Sequence, residues 1–264
     1  MKFQKKASLL ILNFLWLFAI PMMSQQMHLF RTVYYPAEPY GGLEELELLV
    51  KQEVVYPNTL LESGEDGEVF ITFIVDYQGN VQFKHIEDHG DSLFRAEASR
   101  IFDRILWEKD PSRNQSGLGY EKLKIAFNAR KYEKLVKKRG YSALPKELSN
   151  NITSGKYYTI NQVDEAPQTK EGNSINAFVQ NNIKYPAIAY QRGISGRVTA
   201  EFIVEPYGKI SNFKIVESLP GGCDAETRRL MRMIEWAPGK INGKAVRTLY
   251  RYQLNFVHPG GTVR

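Results

Sequence analysis

His85 and His89 flank Glu87 and Asp88, with Asp91 just beyond. A His-x-x-x-His spacing sets two imidazoles on one face of a helix, where they can share a metal ion. Here the stretch reads as a strand end and a turn, which separates them. At the corresponding positions of a second, similar segment of the chain stand Lys214 and Ser218, neither suited to such a site. No metal and no cofactor is expected. Cys223 is the single cysteine. A reactive thiol needs an electropositive setting or a partner base; Cys223 follows Gly221-Gly222 before a helical pattern, with no base nearby, and reads as a small packing residue. One thiol also means no internal disulfide, so stability rests on packing. No nucleophile elbow, phosphate loop or paired-cysteine motif occurs, and the chain does not read as an enzyme or as a small-molecule binder.

The elements behind these residues are written twice. Tyr56–Trp107 superposes on Tyr185–Trp236 without a gap, at a constant offset of 129. Tyr56-Pro57 meets Tyr185-Pro186, Gly64 and Gly67 meet Gly193 and Gly196, Phe73-Ile74-Val75 meets Phe202-Ile203-Val204, and Gly79 meets Gly208. Ala96-Glu97 and Arg100 meet Ala225-Glu226 and Arg229. The offset exceeds the roughly 20–50 residue period of solenoid repeats, so the pattern reads as a duplicated domain.

Each copy reads helix, strand, strand, helix, strand. In the second, Ser174 caps a helix through Asn182, with Ile175, Phe178, Val179 and Ile183 on one face, and Tyr185-Pro186 ends it. Val198, Ala200, Phe202 and Val204 alternate with polar residues, the period of a half-buried strand. Pro206-Tyr207-Gly208 turns the chain into Ile210–Glu217, and Asp224 is placed as the cap of the next helix. Trp236-Ala-Pro-Gly breaks that helix and Asn242-Gly243 marks a turn. A last strand alternates Tyr250, Tyr252, Leu254 and Phe256 with Arg247, Arg251, Gln253 and Asn255. In the first copy the elements are Leu43–Val54, Val69–Val75, Val81–Ile86, Leu93–Leu106 and Tyr120–Phe127; Glu-Lys-Asp and Ser112–Gly119 replace the compact turns after its tryptophan.

The net charge is +6. Met27–Asp110 holds 17 acidic and 7 basic residues, whereas Pro111–Arg264 holds 12 acidic and 25 basic. Either two solvated surfaces of opposite sign result, or the halves dock on each other or on an acidic partner. Ala129–Gly140 is rich in Lys and Arg and carries Tyr132, Leu135 and Val136 at helical spacing; it reads as a solvated linker helix, with an anionic surface as the sharper alternative. At the N-terminus Lys2, Lys5 and Lys6 precede an apolar run ending near Ser24, which reads as a cleaved secretory signal peptide; an inner-membrane anchor over residues 7–23 is the competing reading. An exported chain has little occasion to meet nucleic acid.

The second copy resembles the TonB C-terminal domain family. The resemblance rests on Gly172, Tyr185-Pro186, Gly193-x-x-Gly196-x-Val198, Phe202-Ile203-Val204, Gly208, Ile215-Val216-Glu217, Asp224-Ala225, Trp236-x-Pro238 and Asn242-Gly243-x-x-Val246, and runs from about Ala166 to Val257. The first copy, from about Pro39 with Gly41-Gly42, is similar to a diverged member. The layout expected is a signal peptide over 1–24, a diverged TonB-like domain over 25–128, a basic and polar linker over 129–160, and a TonB C-terminal domain over 161–264. The fold implied is α+β: two tandem small domains, each with two helices on a three-stranded antiparallel sheet. The resemblance further implies that the last strand accepts an extended segment of an outer-membrane transporter as an added strand, since unpaired backbone groups on a sheet edge give affinity and alternate side chains give selectivity. It places Arg247, Leu249, Arg251, Gln253, Asn255 and Val257 on that edge. An energy-coupling TonB has a membrane helix and a proline-rich spacer; the 12 prolines here are scattered, so no stiff rod forms. Two readings stay open: a periplasmic module binding a TonB-dependent transporter or another envelope protein, and an assembly protein whose edges pair within the chain or in a homodimer. Intact-mass measurement of the envelope form should show loss of about the first 24 residues, as signal-peptide cleavage requires; an uncut chain in the inner-membrane fraction would establish the anchor instead.

Overall fold

A computed structural model describes residues 36–87, 90–114, 119–142, 144 and 155–258. The segments read as the signal peptide and as the end of the chain, and His89 of the first motif, lie outside the described residues. The first half comprises α1 (Leu43–Glu53), α2 (Asn58–Ser63), β1 (Gly67–Val75), β2 (Val81–Ile86), α3 (Ser92–Phe102), β3 (Glu121–Phe127) and α4 (Ala129–Arg139). The second comprises β4 (Tyr158–Thr159), β5 (Gln168–Thr169), α5 (Ile175–Asn182), α6 (Ala187–Gln191), β6 (Gly196–Val204), β7 (Ile210–Glu217), α7 (Cys223–Met233), β8 (Trp236–Ala237), β9 (Lys240–Ile241), β10 (Lys244–Ala245) and β11 (Thr248–Phe256). The class is α+β.

Three local expectations change. The second main sheet has four strands, in the order β4-β11-β6-β7, because β4 adds in parallel to β11; the first has three, in the order β2-β1-β3. α4 is not a solvated linker: Ala129 and Tyr132 are buried, and Leu135 and Val136 pack against the first core. Its apolar stripe found a groove to cover, which composition cannot reveal. Asp224 does not cap α7, whose N-cap is Gly222; instead its carboxylate accepts hydrogen bonds from the Leu219 N–H (2.9 Å) and the Ser218 hydroxyl (2.5 Å).

Each half has its own apolar core. In the first, Phe94 stacks on Phe127 at 4.6 Å and Phe73 lies 4.7 Å from Trp107. In the second, Phe202 lies 5.4 Å from Trp236 and stacks on Phe213 at 5.7 Å. The offset of 129 recurs in hydrogen bonds as well as in sequence. The Tyr56 hydroxyl donates to the Glu65 carbonyl and the Tyr185 hydroxyl to the Ile194 carbonyl. The Val55 N–H donates to Glu97 (2.7 Å) and the Lys184 N–H to Glu226 (2.6 Å). Arg100 donates to the Glu53 carbonyl (2.6 Å) and Arg229 to the Asn182 carbonyl (2.8 Å). Gly79 and Gly208 both adopt positive φ (84° and 80°), and a Cβ there would sit 2.5 and 2.6 Å from the carbonyl oxygens of Trp107 and Trp236. Only glycine tolerates both constraints. At the Asn242-Gly243 turn both residues take positive φ (49° and 73°), as a two-residue hairpin of the primed type requires.

The halves meet through charge. The acidic first half faces the basic second half: Glu108 pairs with Lys214 (2.6 Å), Glu45 with Arg232 (2.6 Å) and Glu44 with Arg228 (3.5 Å). Gly41 presses so closely on β7 that a Cβ would lie 2.0 Å from the Phe213 carbonyl oxygen. Because the apolar clusters remain separate and the junction is polar, residues 155–264 expressed alone should still melt cooperatively, at a lower temperature than the full chain. A molten fragment by near-UV circular dichroism would show that the second core needs the first half.

Candidate functional site: a sheet edge and its groove

β11 pairs with β6 in an unbroken antiparallel register, from Thr248 opposite Val204 to Phe256 opposite Gly196. Thr248, Tyr252, Leu254 and Phe256 are buried, while Arg251, Gln253 and Asn255 are exposed. On the other side of the strand, the Tyr158 N–H donates to the Arg247 carbonyl at 2.9 Å. In an antiparallel ladder the N–H and C=O of one residue point to the same side and the side alternates along the strand. The backbone groups of Leu249, Arg251, Gln253 and Asn255 therefore face away from β6. β4 covers the beginning of this edge, with Tyr158 opposite Thr248 and Thr159 opposite Leu249. Beyond it, among the described residues, Arg251, Gln253 and Asn255 meet no further strand.

The sequence-assigned edge residues thus divide. Gln253 and Asn255 lie on the open part, and Val257 follows it, more than half exposed. Arg251 lies there too, but its guanidinium is held by Glu201 (2.7 Å), which also accepts from the Tyr40 hydroxyl of the first half (2.5 Å). Burial and Glu201 push the Tyr40 phenol up, which keeps it a donor. Leu249 sits beside β4. Arg247 is not an edge side chain at all: it is 1% exposed and donates to both carboxylate oxygens of Glu205 (Nε–Oε2 and Nη2–Oε1 each 3.1 Å) and to the Arg104 carbonyl (3.0 Å). Its alternation with tyrosines suggested a surface position, but a buried carboxylate one strand away outweighs the solvation it would gain outside.

Beside the open edge runs a groove of about 530 Å³, walled by Asn176, Val179, Gln180, Ile183 and Tyr185 and by Tyr252 through Val257. Its lining mixes apolar side chains (Val179, Ile183, Leu254, Phe256) with amides (Asn176, Gln180, Gln253, Asn255). The Tyr252 hydroxyl donates to the Asn176 side chain at 3.0 Å, fixing the mouth. The α5 wall was missed as a site, although its apolar stripe is plain in the sequence; that stripe signals packing equally well. A second cavity of about 630 Å³ lies between the halves, its lining carrying charges of both signs, among them the Glu108–Lys214 pair.

The remaining motif residues act as scaffold. Pro186 (φ −64°) begins α6, Gly196 opens β6, the Trp236 indole donates to the Met231 carbonyl (3.1 Å), and Pro238 separates β8 from β9. Cys223 is buried, and burial together with Asp224 pushes its thiol up, so it has no thiolate character near neutrality. His85 pairs across the sheet with Thr72, and no metal-capable cluster occurs among the described residues. No described helix is long and apolar enough to cross a membrane.

Residues 181–257 match the family model of the Gram-negative bacterial TonB protein C-terminal domain. That segment runs from the last residues of α5 through β11, so it contains the open edge. A solution NMR structure of the Pseudomonas aeruginosa TonB C-terminal domain is 25% identical, covering 40% of this chain and 97% of that one, with a TM-score of 0.30. No curated protein matches the chain. The likeness accordingly rests on the sequence match and lies in the second half.

A buried ion chain lies behind the edge. Glu53 accepts from Arg100 (3.1 Å) and faces the Arg104 Nε at 2.9 Å; Arg104 also reaches Glu205, which pairs with Arg247. Tyr207, in the β6–β7 turn, donates its hydroxyl to Glu53, and burial with the carboxylates of Glu53 and Glu205 pushes that phenol well up. Burial by itself would raise Glu205, but Arg247, Arg104 and the Ser211 hydroxyl hold it below the usual carboxylate range. Arg104→Ala should cost about 3–5 kcal/mol in urea unfolding, because two buried carboxylates lose a partner. A carboxylate depressed in the folded state contributes stability that is full above its unfolded value of about 4.3 and fades as pH falls below it. Glu205→Gln should therefore lower stability at pH 7 and flatten its decline between about pH 5 and 3; an unchanged acid profile in chemical denaturation would assign that decline to other groups.

Proposed function

We propose that this protein is a periplasmic, TonB-like protein-binding module that takes up an extended segment of an outer-membrane transporter, or of another envelope protein, as an added strand on the outer edge of β11. The observation that carries the reading is the alignment of three outward-facing backbone units, Arg251, Gln253 and Asn255, within the segment that matches the family and beside an open groove of mixed polar and apolar lining. Backbone groups on the edge supply pairing, and the groove receives alternate side chains of the incoming strand. The first half, with its equivalent hydrogen bonds, is read as a diverged copy of the same module. Its role is to carry the second half, through the buried ion chain. Export through a cleaved signal peptide places the module in the periplasm, with no catalytic step and no cofactor.

One observation favours an assembly role as the second reading. β4 already completes the first part of the edge from within the chain, so the strand has an intramolecular partner and a second copy of the protein would be the natural continuation. Analytical ultracentrifugation at micromolar concentration separates the readings: a monomer leaves the edge to a partner protein.

Gln253→Pro is the decisive variant. Its N–H faces the open side, so the substitution removes a donor and places a ring in the path of an added strand without breaking a β6 hydrogen bond. Isothermal titration with a transporter-derived extended peptide should show binding abolished, with the thermal melt preserved. Lys124→Pro, at the corresponding place on β3, should leave affinity unchanged. Full affinity in folded Gln253→Pro would remove the strand-addition reading and leave assembly.

A further inference from the structure

The two halves hold the same groove in two states. Subtracting 129 from Val179, Gln180, Ile183 and Tyr185 gives Val50, Lys51, Val54 and Tyr56, and β3 stands where β11 does, since Phe127 pairs with Gly67 as Phe256 pairs with Gly196. In the first half this place is filled by α4. The Tyr132 ring packs 5.2 Å from Tyr56. Seven residues on, Arg139 donates to the carbonyls of Lys51 (2.9 Å), Gln52 (3.3 Å) and Val54 (2.7 Å), the end of α1.

Two separate physical needs are met there. Tyr132 covers the apolar slot against Tyr56. Arg139 satisfies the last carbonyls of a helix, which have no partner within it and carry its negative dipole end. In the second half the edges of Tyr190 and His258 stand beside Tyr185 (6.2 and 6.1 Å), with the groove open next to them, and the helix end lacks a counterpart of Arg139. Arg229 takes the Asn182 carbonyl, as Arg100 takes that of Glu53. Among the described residues no protein donor reaches the carbonyls of Gln180, Asn181 or Ile183, which correspond to the three that Arg139 holds. Gln180, Ile183 and Tyr185 wall the open groove.

We infer that the groove between α5 and β11 docks a partner segment that presents an aromatic side chain to Tyr185 and, about two helical turns further on, an arginine to the carbonyls at the end of α5. The inference rests on the reading of this groove as a binding site, but not on strand pairing, because α4 satisfies the first groove as a helix. The partner is thus a basic, amphipathic protein segment, and α4 is its internal counterpart.

The probe is a fluorescent synthetic peptide of residues 128–142 of this chain, titrated into the full-length mature protein. Saturable anisotropy with Kd below about 1 mM is expected, with amide shifts in NMR centred on Gln180, Ile183 and Val257. Replacing tyrosine at peptide position 132 by alanine, or arginine at 139 by glutamine, should each weaken binding about tenfold, as loss of an aromatic or arginine anchor does. Ile183→Ala in the protein should weaken it similarly with a preserved melt. If Ile183→Ala does not fold, the two peptide variants decide alone. The two peptide variants and Ile183→Ala leave the outward backbone groups of β11 untouched, whereas Gln253→Pro with an extended peptide reads strand addition, so failure of strand addition and failure of this proposal are read separately. No saturation, shifts confined to the first half, or equal binding of all three peptides would overturn it.

Discussion

Four buried side chains, Glu53, Arg104, Glu205 and Arg247, run in a line across the junction between the halves. Two charges come from each half, and alternation in sign lets each have a partner. A charge taken from water without compensation costs several kcal/mol. The line therefore fixes how the halves meet: any slip would strand Arg104 or Glu205. It also fixes the start of β11, because Arg247 is the residue immediately before it. With that anchor set, Arg247 presents its carbonyl to Tyr158, β4 docks, and the phase of every outward backbone group along the strand follows.

The surrounding junction is consistent with this. Gly41 lies against the backbone of β7, and the exposed cross-pair at Glu44 adds complementarity of sign more than energy, since surface pairs contribute little individually, whereas Glu45 is buried against Arg232. Tyr207, carried on the turn that Gly208 makes possible, reaches into the first half to meet Glu53. The turn that closes the β6–β7 hairpin thus also joins the two halves.

The halves differ at their grooves and agree where backbone geometry is demanding. Tyr56 and Tyr185, Gly79 and Gly208, Arg100 and Arg229 keep the same hydrogen bonds or close approaches. These positions close the helix-to-strand loop and the hairpin, and a substitution in either half meets the same clash or the same lost bond. The grooves, by contrast, are filled by α4 in one half and open in the other.

The sequence by itself determined the repeat, the α+β class, the turns at Gly208 and Asn242-Gly243, and the inside and outside of β11, because each follows from local backbone constraints or from a short hydrophobic period. It also held the resemblance that the family match over residues 181–257 reflects. It did not determine the fate of Arg247, which reads as an edge residue until Glu205 and Arg104 are brought beside it from 42 and 143 residues away. Nor did it reveal β4, whose two residues are too short for any period, or the seat of α4, whose stripe is the same for a solvated helix and a docked one. Those choices were made by long-range partners: burial of paired charge, the availability of an uncovered groove, and a strand edge with room for one short neighbour.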